Sequence, residues 1–157
     1  MERSLFLKAY IIMRKQRKNE FVLMTNANHT STPSILNFVA NWLANNGMSE
    51  EKCSAVKTAT CEAISNVVDH AYDVNTIAKR MSVEAYVYED NTVKIAIRDE
   101  GKGIADIPQA RASLFTTGDS IEHSGMGFTV MEAFVDTVKV RSTVNKGTSV
   151  LLFTTLE

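Results

Sequence analysis

The sequence predicts an α+β protein, a two-layer sandwich of helices against a sheet. Three observations predict it. Glu50 to Asp73 runs without Gly or Pro, and Val56, Ala59, Ala63, Val67 and Ala71 recur in it at three- and four-residue steps, the spacing of one buried helix face. Two pairs of segments alternate polar and apolar residues about short turns: Ser82 to Glu89 with Thr92 to Arg98, and Thr137 to Thr143 with Thr148 to Thr154. Helices and hairpins fall in separate blocks, whereas a doubly wound parallel sheet would alternate strand and helix.

In chain order, Glu20 to Asn26 reads as a short strand centred on Phe21-Val22-Leu23. Asn28 to Pro33 is a polar loop, and Pro33 suits the first turn of a helix capped by Thr32. That helix reaches about Asn45, with Ile35, Phe38, Val39, Trp42 and Leu43 on one face, and Asn46-Gly47 stops it. Ser49 caps the long helix, although Lys52 stands where a full capping box needs Glu or Gln. Val83, Ala85 and Val87 alternate with Ser82, Glu84, Tyr86 and Tyr88, and Asp90-Asn91 turns the chain into the return strand, which Asp99 closes. Asp106 to Ala112 suits a short helix, and Leu114 to Ser124 lacks a period and reads as a mobile loop. Gly125-Met126-Gly127 opens a helix through Phe134, and Asn145-Lys146-Gly147 turns the final hairpin.

At 157 residues the chain suits one domain with a full core. A net charge of -1 argues against direct binding of nucleic acid, which calls for a basic surface. Cys53 and Cys61 lie about 12 Å apart along the proposed helix, beyond disulfide reach, and reduced thiols suit a cytoplasmic protein. No apolar run approaches the roughly 20 residues of a membrane span. Residues 1–18 form an apolar and then basic N-terminal extension that need not belong to the domain at 19–157. Its charge follows the apolar part, the reverse of a signal peptide.

Glu62, Asn66 and His70 recur at four-residue steps and so stack as a polar stripe beside the apolar one. A solvated helix face can carry such a stripe without purpose. Two glycine stretches downstream give it something to face. Asp99 ends a strand with Gly101 and Gly103 behind it, where glycine lets backbone approach a ligand and a carboxylate can accept from an amino-bearing ring. Ser124-Gly125-Met126-Gly127 precedes a helix, whose free N–H groups suit an anion. Neither stretch completes a Walker or Rossmann motif.

Together, Glu-x-x-x-Asn on a helix, Asp-x-Gly-x-Gly, Gly-x-Gly before a helix and Gly-Thr in a last hairpin resemble the GHKL (Bergerat-fold) ATPases. Leu114-Phe115-Thr116-Thr117, Ser124 to Glu132 and Val144 to Thr148 are similar more narrowly to the anti-sigma-F kinases of sporulation control. The likeness runs from about Asn19 to Phe153 and implies a Bergerat ATP-binding fold with a mixed, mostly antiparallel sheet. It implies Glu62 as the general base and Asn66 as the ligand of Mg²⁺ on ATP. It implies Asp99 as the anchor of adenine, with Gly101, Gly103 and Thr148 beside it. Thr116, Thr117, Ser124, Gly125, Met126 and Gly127 would surround the phosphates. His70 would orient the site, and Asp69 reads as a solvated or capping carboxylate. The implied partners are a sigma factor and an anti-anti-sigma protein phosphorylated on serine, and the implied assembly is a homodimer.

Two departures stand near the expected γ-phosphate. Gly118 replaces the family's lysine after the lid threonines, and His123 replaces an arginine. The first helix also lacks the family's partner-binding arginine. These changes leave open a nucleotide-gated sigma-binding module with little kinase activity, or a stress-response kinase with other partners.

Overall fold

Five antiparallel strands carry helices on one face in a computed structural model that describes residues 16–112 and 125–157. The order is β1 (Arg17–Asn26), α1 (Thr32–Asn45), α2 (Glu50–Asn66), β2 (Arg80–Tyr88), β3 (Thr92–Asp99), α3 (Ile107–Arg111), α4 (Gly127–Phe134), β4 (Thr137–Thr143) and β5 (Gly147–Thr155). The two-layer α+β reading holds. The mixed sheet narrows to one that is antiparallel at every pairing among the described residues.

Strands stand in the order β1-β2-β3-β5-β4. The last hairpin therefore inserts its second strand, not its first, beside β3. Because β5 runs antiparallel to β3, its start lies against the end of β3, with Arg98 opposite Ser149. That register brings Thr148 to Asp99. The inward residues of the central strands, Val83, Ala85, Val87, Val93, Ile95 and Ile97, join Val56, Ala59, Ala63 and Ile64 of α2 in one core. On the other face Glu84 accepts from Arg98 at 2.9 Å and Tyr86 at 2.7 Å.

Several details differ from the sequence reading. Strand β1 starts at Arg17, earlier than Glu20, because Arg17 already pairs with Tyr88. Helix α1 has no side-chain cap; Thr32 Oγ1 instead donates back to the Asn28 carbonyl at 3.0 Å. Its buried face includes Leu36, while Phe38 is 48% exposed and meets Phe21 edge-on. The cap Ser49 behaves as expected, accepting from the Lys52 N–H at 3.3 Å. The expected helix to Asp73 changes its winding at Val67, and Val67–Ala71 form a π-turn. Such turns widen a helix at functional sites, and this one carries Asp69 and His70.

Candidate functional site

A cavity of about 700 Å³ opens between the end of α2, the loop after β3, the start of α4 and the start of β5. Its size is that of a small-molecule site. Glu62, Asn66, Asp99, Gly103, Gly125, Gly127 and Thr148 line it, so pieces up to 86 residues apart in sequence converge. His70 lines it too. Gly101 and Met126 do not line it: Gly101 is buried behind Asp99, and Met126 stands at the position before α4. Thr116, Thr117 and Ser124 lie outside the described residues, as do Gly118 and His123.

Helix periodicity stacks Glu62 one turn before Asn66, and α4 packs against both through Gly127. A Cβ there would stand 3.3 Å from Glu62 Oε2 and 3.4 Å from Asn66 Oδ1. Among the described residues neither side chain has a hydrogen bond or ion pair. Burial pushes the Glu62 carboxyl above its ordinary value. A half-buried, unpaired carboxylate of raised basicity is suited to take a proton.

Asp99 is 9% exposed at the end of β3. Its Oδ1 accepts from the N–H of Gly101 at 2.9 Å and of Thr148 at 3.2 Å. Its Oδ2 takes no hydrogen bond among the described residues, and the residue lines the cavity. Burial raises the Asp99 carboxyl, and the two backbone donors only partly offset this. The arrangement is an acceptor withheld from water and open to a ligand N–H.

The glycine loop is fixed from both sides. The Lys102 N–H donates to the Ala71 carbonyl and the Lys102 carbonyl accepts from Asn145 N–H, each at 2.8 Å. A Cβ on Gly101 would stand 2.1 Å from the Ala71 oxygen, so close packing on the π-turn requires glycine there. Gly147 has φ +106°, and its Cβ would stand 2.0 Å from the Asp99 carbonyl oxygen. Replacing Gly147 with Ala should therefore cost roughly 2–4 kcal/mol of stability, combining backbone strain with overpacking. Urea unfolding measures this; a loss below 0.5 kcal/mol, the scale of an ordinary surface change, would contradict the contact.

Sequence reasoning missed Ser142. Its hydroxyl accepts from Ile104 N–H at 2.8 Å, donates to the Gly147 carbonyl at 3.1 Å and lies 2.8 Å from Thr148 Oγ1. One hydroxyl proton serves one acceptor. When Ser142 donates to Gly147, Thr148 must donate to Ser142, and Thr148 keeps its lone pairs for the cavity. In the alternating pattern of β4 nothing marks this serine. Asp69 also departs from the reading given to it: its Oδ1 lies 3.0 Å from His29 Nε2, and both residues line the cavity.

The sequence matches the histidine kinase-like ATPase domain family over residues 25–154. It is similar to the anti-sigma F factor of Geobacillus stearothermophilus, with 42% identity over 137 residues, covering 86% of this chain and 91% of that protein. The anti-sigma F factor of Bacillus subtilis (strain 168) is 41% identical over 115 residues, covering 73% and 77%. Among solved structures, the RsbU and RsbW domains of a Mycobacterium tuberculosis protein match with a TM-score of 0.65. That match has 17% identity and covers 88% of this chain and 32% of that one, so it speaks for the fold alone.

Proposed function

Because the chain belongs to the histidine kinase-like ATPase domain family, and within it to the anti-sigma F factors, we propose that it binds a sporulation sigma factor and uses Mg-ATP to phosphorylate a serine of an anti-anti-sigma protein. The observation that carries this reading is the cavity in which Glu62 and Asn66 have no hydrogen-bond or ion-pair partner among the described residues and Asp99 presents a buried acceptor.

Asp99 would accept from the amino group of adenine, with Thr148 beside it. Glu62 would take the serine hydroxyl proton as the serine oxygen bonds to the γ-phosphorus. The bond from that phosphorus to the β–γ bridging oxygen breaks, leaving ADP. Asn66 would hold Mg²⁺ through its side-chain oxygen. When bound, the metal supplies neutralisation of phosphate charge. A single oxygen donor fits Mg²⁺, which keeps water and phosphate oxygens as its other ligands; no cluster of three or more His, Cys, Asp or Glu competes for it among the described residues. Gly125 and Gly127 line the cavity at the α4 start, where backbone N–H groups suit phosphate.

The lid roles of Thr116 and Thr117, the part of Ser124, a homodimeric assembly and a cytoplasmic location belong to the same proposal. No helix among the described residues is long and apolar enough to cross a membrane. Gly118 and His123 favour a second reading, a nucleotide-gated binder with weak transfer. Gating itself is tested by size-exclusion chromatography with a sporulation sigma factor. A complex should form with Mg-ATP and dissociate without nucleotide; identical elution in both conditions would contradict gating.

A further inference from the structure

We infer that the Tyr72 hydroxyl is the positioning group that ends the β2–β3 ladder and sets Asp99 toward the cavity. The ladder's last pair is Met81 opposite Asp99. One step further, Arg80 would face Glu100, and the Glu100 N–H would bond to the Arg80 carbonyl. Instead the Tyr72 hydroxyl stands between them. It accepts from Glu100 N–H at 2.9 Å and donates to the Arg80 carbonyl. The strands are held apart by one hydroxyl at the residue after Asp99.

The neighbouring backbone shows what this spacing achieves. Three successive amides leave the ladder for three different acceptors. Glu100 N–H goes to Tyr72, Gly101 N–H to Asp99 Oδ1 at 2.9 Å, and Lys102 N–H to the Ala71 carbonyl at 2.8 Å. Ala71, the last residue of the π-turn, and Tyr72, the residue after it, thus grip both flanks of Gly101. The Gly101 N–H is left to turn back onto the Asp99 carboxylate. If the ladder continued instead, Glu100 would be drawn onto β2, and the hydrogen bond that orients Oδ1 would be lost. Tyr72 follows directly on the π-turn, in extended backbone, so the widened turn delivers the ring to this gap. Burial, and after it the charges of Asp99 and Glu100, push the phenol above its ordinary value, so it remains a donor at neutral pH.

The inference rests on the nucleotide reading for its consequence and on geometry for its premise, and the test separates the two. ATP affinity is measured by calorimetry for the wild-type chain, Tyr72→Phe, Asp99→Asn and the double variant. Removal of one neutral hydrogen bond that acts through Asp99 should weaken ATP roughly five- to tenfold in the wild-type background. In the Asp99→Asn background the same change should have less than about a twofold effect, because coupled residues are not additive. Equal weakening in both backgrounds would reduce Tyr72 to a general structural role, and no weakening in the wild-type background would remove it from the site. In parallel, amide exchange at Glu100 should accelerate at least about tenfold in Tyr72→Phe if its acceptor is the hydroxyl; unchanged exchange overturns the bridge. Absence of ATP binding by the wild-type chain would sink the functional reading, and the exchange rate alone would then decide the bridge.

Discussion

Asp99→Asn should weaken ATP roughly 10- to 150-fold, the loss of one hydrogen bond to a charged group at about 1.5–3 kcal/mol, without weakening the fold. Asparagine keeps an oxygen for the Gly101 and Thr148 N–H groups that Asp99 Oδ1 now serves. It replaces the remaining acceptor with an amide donor, which opposes an adenine amino group. The fold should be spared because Asp99's carboxyl is raised by burial. Between the ordinary value of 3.8 and its raised folded value, the native state binds more protons than the unfolded one, so stability falls as pH rises through that window. Above it the buried charge is a net cost that asparagine lacks. ATP affinity should move the other way, declining on acidification as Asp99 protonates. Calorimetry and thermal unfolding at neutral pH check both halves. Unchanged ATP affinity would dismiss Asp99 as the anchor; lost affinity with an equally large loss of stability would make it structural.

Glu62→Ala and Asn66→Ala should fail in different ways although the residues are one turn apart. Loss of a general base lowers transfer by roughly 10²–10⁴-fold, and Glu62→Ala should leave ATP bound. Asn66→Ala should weaken Mg-ATP while barely changing metal-free nucleotide. Because burial raises the Glu62 carboxyl, wild-type transfer should fall on acidification at a pH above the ordinary glutamate range. Nucleotide titrations with and without magnesium, together with single-turnover transfer, separate the two residues. Matching losses of binding and transfer in both variants would mean that the helix is only a scaffold.

The parts of this site legible in the sequence are those whose signal is local. The stripe Glu62, Asn66, His70 needs only helix periodicity, and the hairpins need only alternation and a turn. The insertion of β5 beside β3 is not local. It sets Leu152 beside Ile95 and Val150 beside Ile97 in the core-facing layer of the sheet, and no short-range pattern encodes it. The π-turn was hidden because Val67 and Ala71 continue the apolar spacing of an α-helix unchanged. Spacing puts Phe38 on the apolar face of its helix, yet it is 48% exposed and packs edge-on against Phe21 of the edge strand. Ser142 and Tyr72 act on residues 5 to 38 positions away, through hydroxyls that no periodicity distinguishes. The resemblance suggests Asp99 as the adenine anchor, and the geometry adds what no motif carries: its burial, the two backbone donors on Oδ1 and the close approach of Gly147.

The most direct test of the account is label transfer from γ-labelled ATP, with Mg²⁺, to the serine of an anti-anti-sigma protein, in a single turnover with the wild-type chain and with Glu62→Ala. The account predicts label on the acceptor serine with the wild-type chain, none when that serine is replaced by alanine, and a loss of roughly 10²–10⁴-fold in Glu62→Ala. ATP binding by the wild-type chain with no more transfer than Glu62→Ala shows would contradict the kinase and leave a nucleotide-gated binder.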